Sequence, residues 1–142
     1  IDCNEIEVKS NEVFFLRDNQ LVFPVAAKEK LVKKADGWAL DIYVFSPRPL
    51  DDLLIEPNMP KLTLVVKAKE CQLAINDKAY VAASQNRHEA TYKELPLLQG
   101  WNKVSIKIGE RDKNEFSGNF RCDNRNEFLS SLKVMFVNPE VK

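Results

Sequence analysis

Residues Leu62 to Ile108 read LTLVVKAKECQLAINDKAYVAASQNRHEATYKELPLLQGWNKVSIKI. At the start of this stretch Leu62, Leu64, Val66 and Ala68 fall at every second position. At its end Val104, Ile106 and Ile108 alternate with Ser105 and Lys107. A period of two places successive side chains on opposite faces, which is the signature of a strand buried on one side. Cys71, Leu73 and Ile75 form a third such set. It runs into Asn76-Asp77-Lys78 and returns through Ala79-Tyr80-Val81. Asn and Asp tolerate the left-handed backbone that tight hairpin turns demand, so this segment is expected to be a hairpin. Ala82 to Glu94 is polar and is expected to be a long loop. Gln99-Gly100 then turns the chain into the last strand of the stretch.

The flanks repeat the pattern. Val13 to Leu16 and Leu21 to Phe23 are apolar bursts on either side of Arg17-Asp18-Asn19-Gln20, a hairpin signal. In the strand Trp38 to Phe45, Trp38, Leu40, Ile42 and Val44 share one face, with Asp41 and Tyr43 on the other. Ser46-Pro47-Arg48-Pro49 ends that strand, because proline cannot donate to a ladder. Ala26 to Asp36 has no good N-cap and is expected to be extended. Phe116 to Cys122 and Leu132 to Val137 are two further strands. Asn126-Glu127-Phe128-Leu129 is a single helical turn capped by Asn126. Roughly eight short strands with few helices specify an all-β antiparallel β-sandwich or jelly roll.

Composition fits one domain spanning 1–142, with residues 1–12 expected as a loosely ordered N-terminal segment. Of 142 residues, 44% are hydrophobic and 30% charged, which is ordinary for a globular chain. Lys plus Arg equals Asp plus Glu at 21 each. That balance argues against nucleic acid as a partner, since phosphate binding needs a basic excess. The longest apolar run, Leu21 to Ala27, is broken by Pro24 and is far below the roughly 20 residues needed to span a bilayer. No secretory leader is legible. Three cysteines, Cys3, Cys71 and Cys122, cannot all pair internally and lack zinc or redox spacing. Cys71 and Cys122 are expected as buried thiols, with a mutual bridge as the alternative. Cys3 is compatible with a lipid-attachment site.

The run Cys71-Gln72-Leu73-Ala74-Ile75-Asn76-Asp77-Lys78, followed by Leu97-Leu98-Gln99-Gly100-Trp101-Asn102-Lys103-Val104-Ser105-Ile106-Lys107-Ile108, resembles the galactose-binding-like jelly rolls attached to bacterial glycan-degrading enzymes. Phe116-Ser117-Gly118-Asn119-Phe120-Arg121 is similar to the strand that follows there. The resemblance covers about a third of the chain and marks a fold. Asp77 stands where those modules carry glycine, and the N-terminal third is unmatched. The resemblance implies a non-catalytic module, carbohydrate-binding or accessory to a glycan-degrading protein, secreted or periplasmic, including as a surface lipoprotein. The alternative is a structural or protein-interaction domain that binds no sugar.

The candidate ligand residues are Tyr80, Arg87, His88 and Tyr92, which flank or occupy one long loop. Loops at sandwich ends commonly carry binding, and a sugar needs a flat aromatic face beside planar polar groups. His88 is the only histidine, and nothing around it reads as an elbow or an oxyanion hole, so no catalytic residue is assigned. Asp51, Asp52 and Glu56 match no calcium-loop spacing and are expected as a solvated acidic loop, with a structural calcium as the alternative; no metal or other cofactor is assigned. Trp101 is expected to cover the end of the core, and Trp38 to belong to the core face of its strand.

Overall fold

The computed structural model describes residues 15–17, 20–23, 25–47, 62–122, 129 and 132–136. They form two antiparallel sheets. Sheet I has strand order β1-β2-β11-β5-β9-β8, from β1 (Phe15–Arg17), β2 (Gln20–Val22), β11 (Ser117–Cys122), β5 (Leu62–Lys67), β9 (Ala90–Tyr92) and β8 (Ser84–Gln85). Sheet II has the order β12-β4-β10-β6-β7. Its strands are β12 (Lys133–Met135), β4 (Gly37–Ser46), β10 (Gly100–Gly109), β6 (Cys71–Ile75) and β7 (Lys78–Tyr80). A sixth strand, β3 (Val32–Lys34), also pairs with β4. The fold is all-β and β-sandwich-like.

One core lies between the sheets. Alternation along β4 sends Leu40, Ile42 and Val44 inward, and alternation along β10 sends Val104, Ile106 and Ile108 inward. Leu62, Leu64 and Val66 of β5 and Phe120 of β11 meet them from sheet I. Phe23 packs at a tilt on Phe120 and on Phe116, with ring centroids 5.9 and 6.1 Å apart. Strand β5 is buried on its other face too: Thr63 and Val65 are 5% and 8% exposed. A strand covered on both sides reads as a continuous apolar run, which is what Leu62-Thr63-Leu64-Val65-Val66 supplies.

The backbone of sheet II is the β4–β10 ladder, ten residue pairs from Gly100↔Ser46 to Gly109↔Gly37. Gly37 is required by this close approach, because a Cβ there would lie 2.1 Å from the Ile108 carbonyl oxygen. Gly100 serves the other end of the ladder differently. It turns the chain with φ of 92°, a conformation that L side chains rarely adopt. The two edges of β4 are unequal. One is wholly occupied by β10. The other is shared: β3 pairs with Gly37 to Ala39 and β12 pairs with Tyr43 to Phe45. No described strand pairs with Leu40 to Ile42 on that side.

Several local expectations meet their structures here. Arg17 pairs with Gln20, which closes the first hairpin at the expected place. In the second hairpin Ile75 pairs with Lys78, and Asn76 and Asp77 both have positive φ, 52° and 68°. That pair of left-handed residues is the turn whose twist matches the flanking strands. Residues 25–36, in contrast, are only partly extended. Val25–Lys30 is a 3-10 helix, and only Val32–Lys34 is strand. Ala27 of this helix and Leu31, just past its end, are both buried in the core. Polar Ala82 to Glu94 is not one loop, since it contains the β8–β9 hairpin. Of the expected turn at 126–129, Leu129 is helical and buried; residues 126–128 lie outside the described residues, as do Cys3 and the acidic loop Asp51, Asp52, Glu56. The alternative bridge between Cys71 and Cys122 is not formed; Cys122 is buried and Cys71 half-buried.

Candidate functional site

The β8–β9 hairpin presents two of the four candidate ligand residues. Gln85 pairs with Ala90 and Ser84 with Thr91. Asn86 makes the turn: its Oδ1 accepts from the backbone N–H of His88 at 2.7 Å and of Glu89 at 2.9 Å, and its own N–H donates to the Glu89 carbonyl at 3.0 Å. Such self-bonding by Asn closes a turn without help from the rest of the fold. Arg87 and His88 are thereby held at an exposed tip. Gln85 ties the hairpin to sheet I, its Nε2 reaching the Ala68 carbonyl at 3.3 Å.

Tyr80 ends the edge strand β7 of the other sheet, half-buried against the core, with the Lys78 ammonium 5.7 Å from its ring centre. Tyr92 is different. It is 1% exposed, faces inward from β9, and its hydroxyl donates to the Cys71 carbonyl at 3.2 Å. Burial, and then the neighbouring Cys71, push its phenol well above the usual tyrosine range. A ring sealed in this way has no face for a ligand, so Tyr92 is a core residue and leaves the candidate set. The alternation that places Leu64 inward also places its partner Tyr92 inward. Burial likewise raises the Cys71 thiol, an effect the Tyr92 hydroxyl opposes and the Asp112 charge reinforces. A thiol raised in this way carries little thiolate and is a poor nucleophile. The imidazole of His88 makes no hydrogen bond to Ser84 or Glu89 among the described residues.

A second grouping lies on the outer face of sheet II. In β10 the inward residues are Asn102, Val104, Ile106 and Ile108, so Trp101 and Lys103 point outward. In β4 the outward residues are Ala39, Asp41, Tyr43 and Phe45. The ladder pairs Trp101 with Phe45 and Lys103 with Tyr43. Trp101 and Phe45 meet edge to face, with centroids 5.3 Å apart and planes at 64°. All three rings are half-buried. Trp101 therefore does not cover the end of the core as expected; it sits on the opposite side of the sheet. Trp38 does pack against the core. Its indole N–H donates to the Glu110 carbonyl at 3.1 Å, and Lys113 lies 4.1 Å from its ring centre.

Beside this aromatic row runs a groove of about 240 Å³ along the shared edge of β4. Asp41 and Tyr43 of β4, Lys30, Val32 and Lys34 of the preceding segment, and Phe136 line it. It follows from the topology: β3 and β12 abut the same edge of β4 and leave a gap between them. This face was legible from the odd-numbered phase of the alternation, Asp41, Tyr43, Phe45 and Trp101, but alternation does not show that a groove adjoins it.

The Gly100-Trp101-Asn102 motif is a structural device. Asn102 is 0% exposed. Its Oδ1 accepts from the Leu98 N–H at 2.8 Å and from the Asn76 amide at 3.0 Å. Its Nδ2 lies 2.9 Å from the Leu98 carbonyl, 3.2 Å from that of Gly100 and 3.3 Å from that of Val44. The loop before β10, the end of β4 and the β6–β7 hairpin thus converge on one side chain, which fixes the base on which Trp101 stands.

Among the described residues no group of three or more His, Cys, Asp or Glu side chains could hold a metal ion. No described helix is long and apolar enough to cross a membrane. Comparison of this chain with protein-family models, with curated proteins and with solved structures gives no match.

Proposed function

We propose that this chain is a non-catalytic carbohydrate-binding module, and that it binds at the outer face of sheet II. The observation that carries the reading is the row Tyr43, Phe45 and Trp101, three half-buried rings on one ladder, of which Tyr43 also lines a groove with Asp41, Lys30 and Lys34. Aromatic faces receive the C–H side of a sugar ring, and flanking charged groups hydrogen-bond its hydroxyls. Strand-borne side chains hold such a platform more firmly than a hairpin tip does. The resemblance of the Gly100-Trp101-Asn102 region to galactose-binding-like jelly rolls points the same way, and supports a secreted or periplasmic setting beside a glycan-active protein. Arg87, His88 and Tyr80 are a secondary contact set on this reading.

The test is affinity electrophoresis of the native protein through gels containing soluble polysaccharides. Retardation by at least one glycan is expected, and Tyr43→Ala should remove most of it while leaving the unfolding midpoint nearly unchanged. If no glycan retards the protein at millimolar sugar, the reading fails and a domain that only contacts other proteins takes its place.

A further inference from the structure

We infer that the groove beside β4 reads a pair of adjacent hydroxyls on one sugar ring through the backbone of Asp41; this rests on the carbohydrate reading above. In an antiparallel ladder the N–H and C=O of a residue point to the same side, and that side alternates along the strand. Two bonds fix the phase in β10. The Lys103 carbonyl accepts from the Asn76 N–H at 2.8 Å, and the Gly109 N–H donates to the Glu70 carbonyl at 3.2 Å. Asn76 and Glu70 flank β6, so the odd-numbered residues of β10 face β6 and the even-numbered ones face β4. The β4–β10 register pairs even with even, so the odd-numbered residues of β4 direct their backbone groups to the opposite edge. There Gly37 and Ala39 meet Lys34 and Val32 of β3, and Tyr43 and Phe45 meet Met135 and Lys133 of β12. Asp41 falls between them. Among the described residues no strand lies opposite its N–H and C=O, and both face the gap where the groove lies.

The gap suits a small group and not another strand. Ala39 and Tyr43 are about 13 Å apart at about 3.3 Å per residue, and β3 and β12 already occupy the line that an added strand would take. A space of about 240 Å³ lies below the roughly 300–1,000 Å³ of sites that enclose drug-sized molecules, so it suits one ring of a chain. The ligand must offer an acceptor for the Asp41 N–H and, beside it, a donor for the Asp41 C=O. A hydroxyl both donates and accepts, so two neighbouring hydroxyls on a ring meet that demand. A carboxylate only accepts. A trans amide points its N–H and C=O in opposite directions, so it answers one group and not both. The Asp41 side chain leaves β4 on the outer face, where Lys103 engages it at 4.0 Å. Tyr43, the next outward residue along β4, offers the same ring a flat face. A glycan whose rings keep two adjacent free hydroxyls is therefore preferred over one whose linkages separate them.

The experiment has two arms. Gels containing β-1,4-xylan, β-1,4-galactomannan or a linear β-1,3-glucan are run with the native protein. Internal rings of the first two backbones keep an adjacent pair of hydroxyls; in the third the linkage takes the oxygen between the free ones. Retardation by xylan or galactomannan, and not by β-1,3-glucan, is expected. Asp41→Pro removes the N–H without taking a bond from the ladder with β10, and Asp41→Ala controls for the side chain. Retardation should be about two- to tenfold weaker in the proline variant than in the alanine one, as loss of one hydrogen bond gives, with circular dichroism checking the fold. The second arm uses the native protein and needs no variant to fold. By NMR the Asp41 amide should exchange faster than those of Leu40 and Ile42, which bond to β10. Xylohexaose or mannohexaose at ten times its Kd should slow that exchange about tenfold. Equal retardation by β-1,3-glucan, or an Asp41 amide that is already protected or unmoved by the sugar, overturns the diol reading and leaves carbohydrate binding in place. No retardation by any glycan removes both readings together.

Discussion

Asn102 offers the sharpest test of how this fold is held. Its side chain is wholly buried, and its two amide hydrogens and carboxamide oxygen face five partners on three segments. Two hydrogens cannot fully satisfy three carbonyls, so about four bonds are made at once. Removing them by Asn102→Ala forfeits about 0.5–1.5 kcal/mol per bond. It also leaves the Leu98 N–H and nearby carbonyls short of partners in a dry site, at about 1–3 kcal/mol for each that stays buried. Partial relaxation of the loop returns some of this. The expected loss is about 3–5 kcal/mol, a large share of the 5–15 kcal/mol typical of a domain.

Asn102→Asp sharpens the case. It keeps the oxygen that accepts from Leu98 and Asn76, but sets a second oxygen against the carbonyls of Leu98, Gly100 and Val44. At neutral pH it also buries a charge. The loss should exceed that of alanine. Burial would raise the new carboxyl above its unfolded value, so the folded state would favour the protonated form. The variant should thus regain stability as pH falls toward the carboxylate range, in the opposite sense to ordinary acid unfolding. The assay is urea unfolding followed by tryptophan fluorescence and circular dichroism, with amide exchange at Leu98 as a local readout. A loss below about 1 kcal/mol for alanine, or no difference between alanine and aspartate at neutral pH, would refute the network argument.

Three further outcomes follow from particular contacts. Asp77 occupies a left-handed turn position with φ of 68°, so Asp77→Ala should cost about 1 kcal/mol in urea unfolding while Asp77→Gly should cost nothing measurable. Tyr92 is raised above its unfolded value near 10, so it stabilises the fold fully below that pH and less as pH rises beyond it. Tyr92→Phe should therefore flatten the alkaline limb of the stability profile, at a cost near neutrality of about 1 kcal/mol for the lost bond to Cys71. Asp36 is lowered, first by its hydrogen bond to Lys107 and then by that charge, so its contribution is present above the usual carboxylate value and lost as pH falls below it. In Lys107→Met the Asp36 carboxyl should titrate at higher pH by NMR; an unchanged midpoint would dismiss the pair.

How far the chain could be read without coordinates varies from element to element, and the reasons are physical. The strands Gly37–Ser46 and Gly100–Gly109 are long, alternate cleanly and pair over their whole length, so the period alone defines them. The Asn76-Asp77 turn was legible because few residues accept two left-handed positions in a row. Residues 25–30 were not, since a short 3-10 segment carries no periodic signal of its own, although Ala27 and the following Leu31 are buried in the core. The β8–β9 hairpin escaped because its strands are two and three residues long and its tie to Ala68 comes from a side chain. Tyr92 was misplaced with it: a tyrosine in a loop is a plausible ligand residue, whereas the same tyrosine in register with Leu64 belongs to the core.

The proposed site lies away from the candidate loop for a related reason. Sequence reasoning looks for binding in polar, irregular segments, because regular ones are accounted for by packing. Yet only one face of β4 and β10 is needed for the core. The other face is free to carry Tyr43, Phe45 and Trp101, and the buried Asn102 next to Trp101 makes that face rigid at the point where Phe45 meets it. Rigid placement reduces the ordering cost that a ligand must offset, which matters most for sugars, whose individual contacts are weak. Burial of Asn102 and presentation of Trp101 are thus linked. Loosening the first should degrade binding at the second even where the protein stays folded. A milder variant, Asn76→Gly, tolerates the left-handed turn position and takes one donor from Asn102, together with the acceptor of the Lys103 N–H. It should weaken glycan retardation about two- to fivefold, equivalent to about 0.4–1 kcal/mol. Retardation equal to wild type, with Leu98 exchange clearly accelerated, would show that the network steadies the fold without steadying the site.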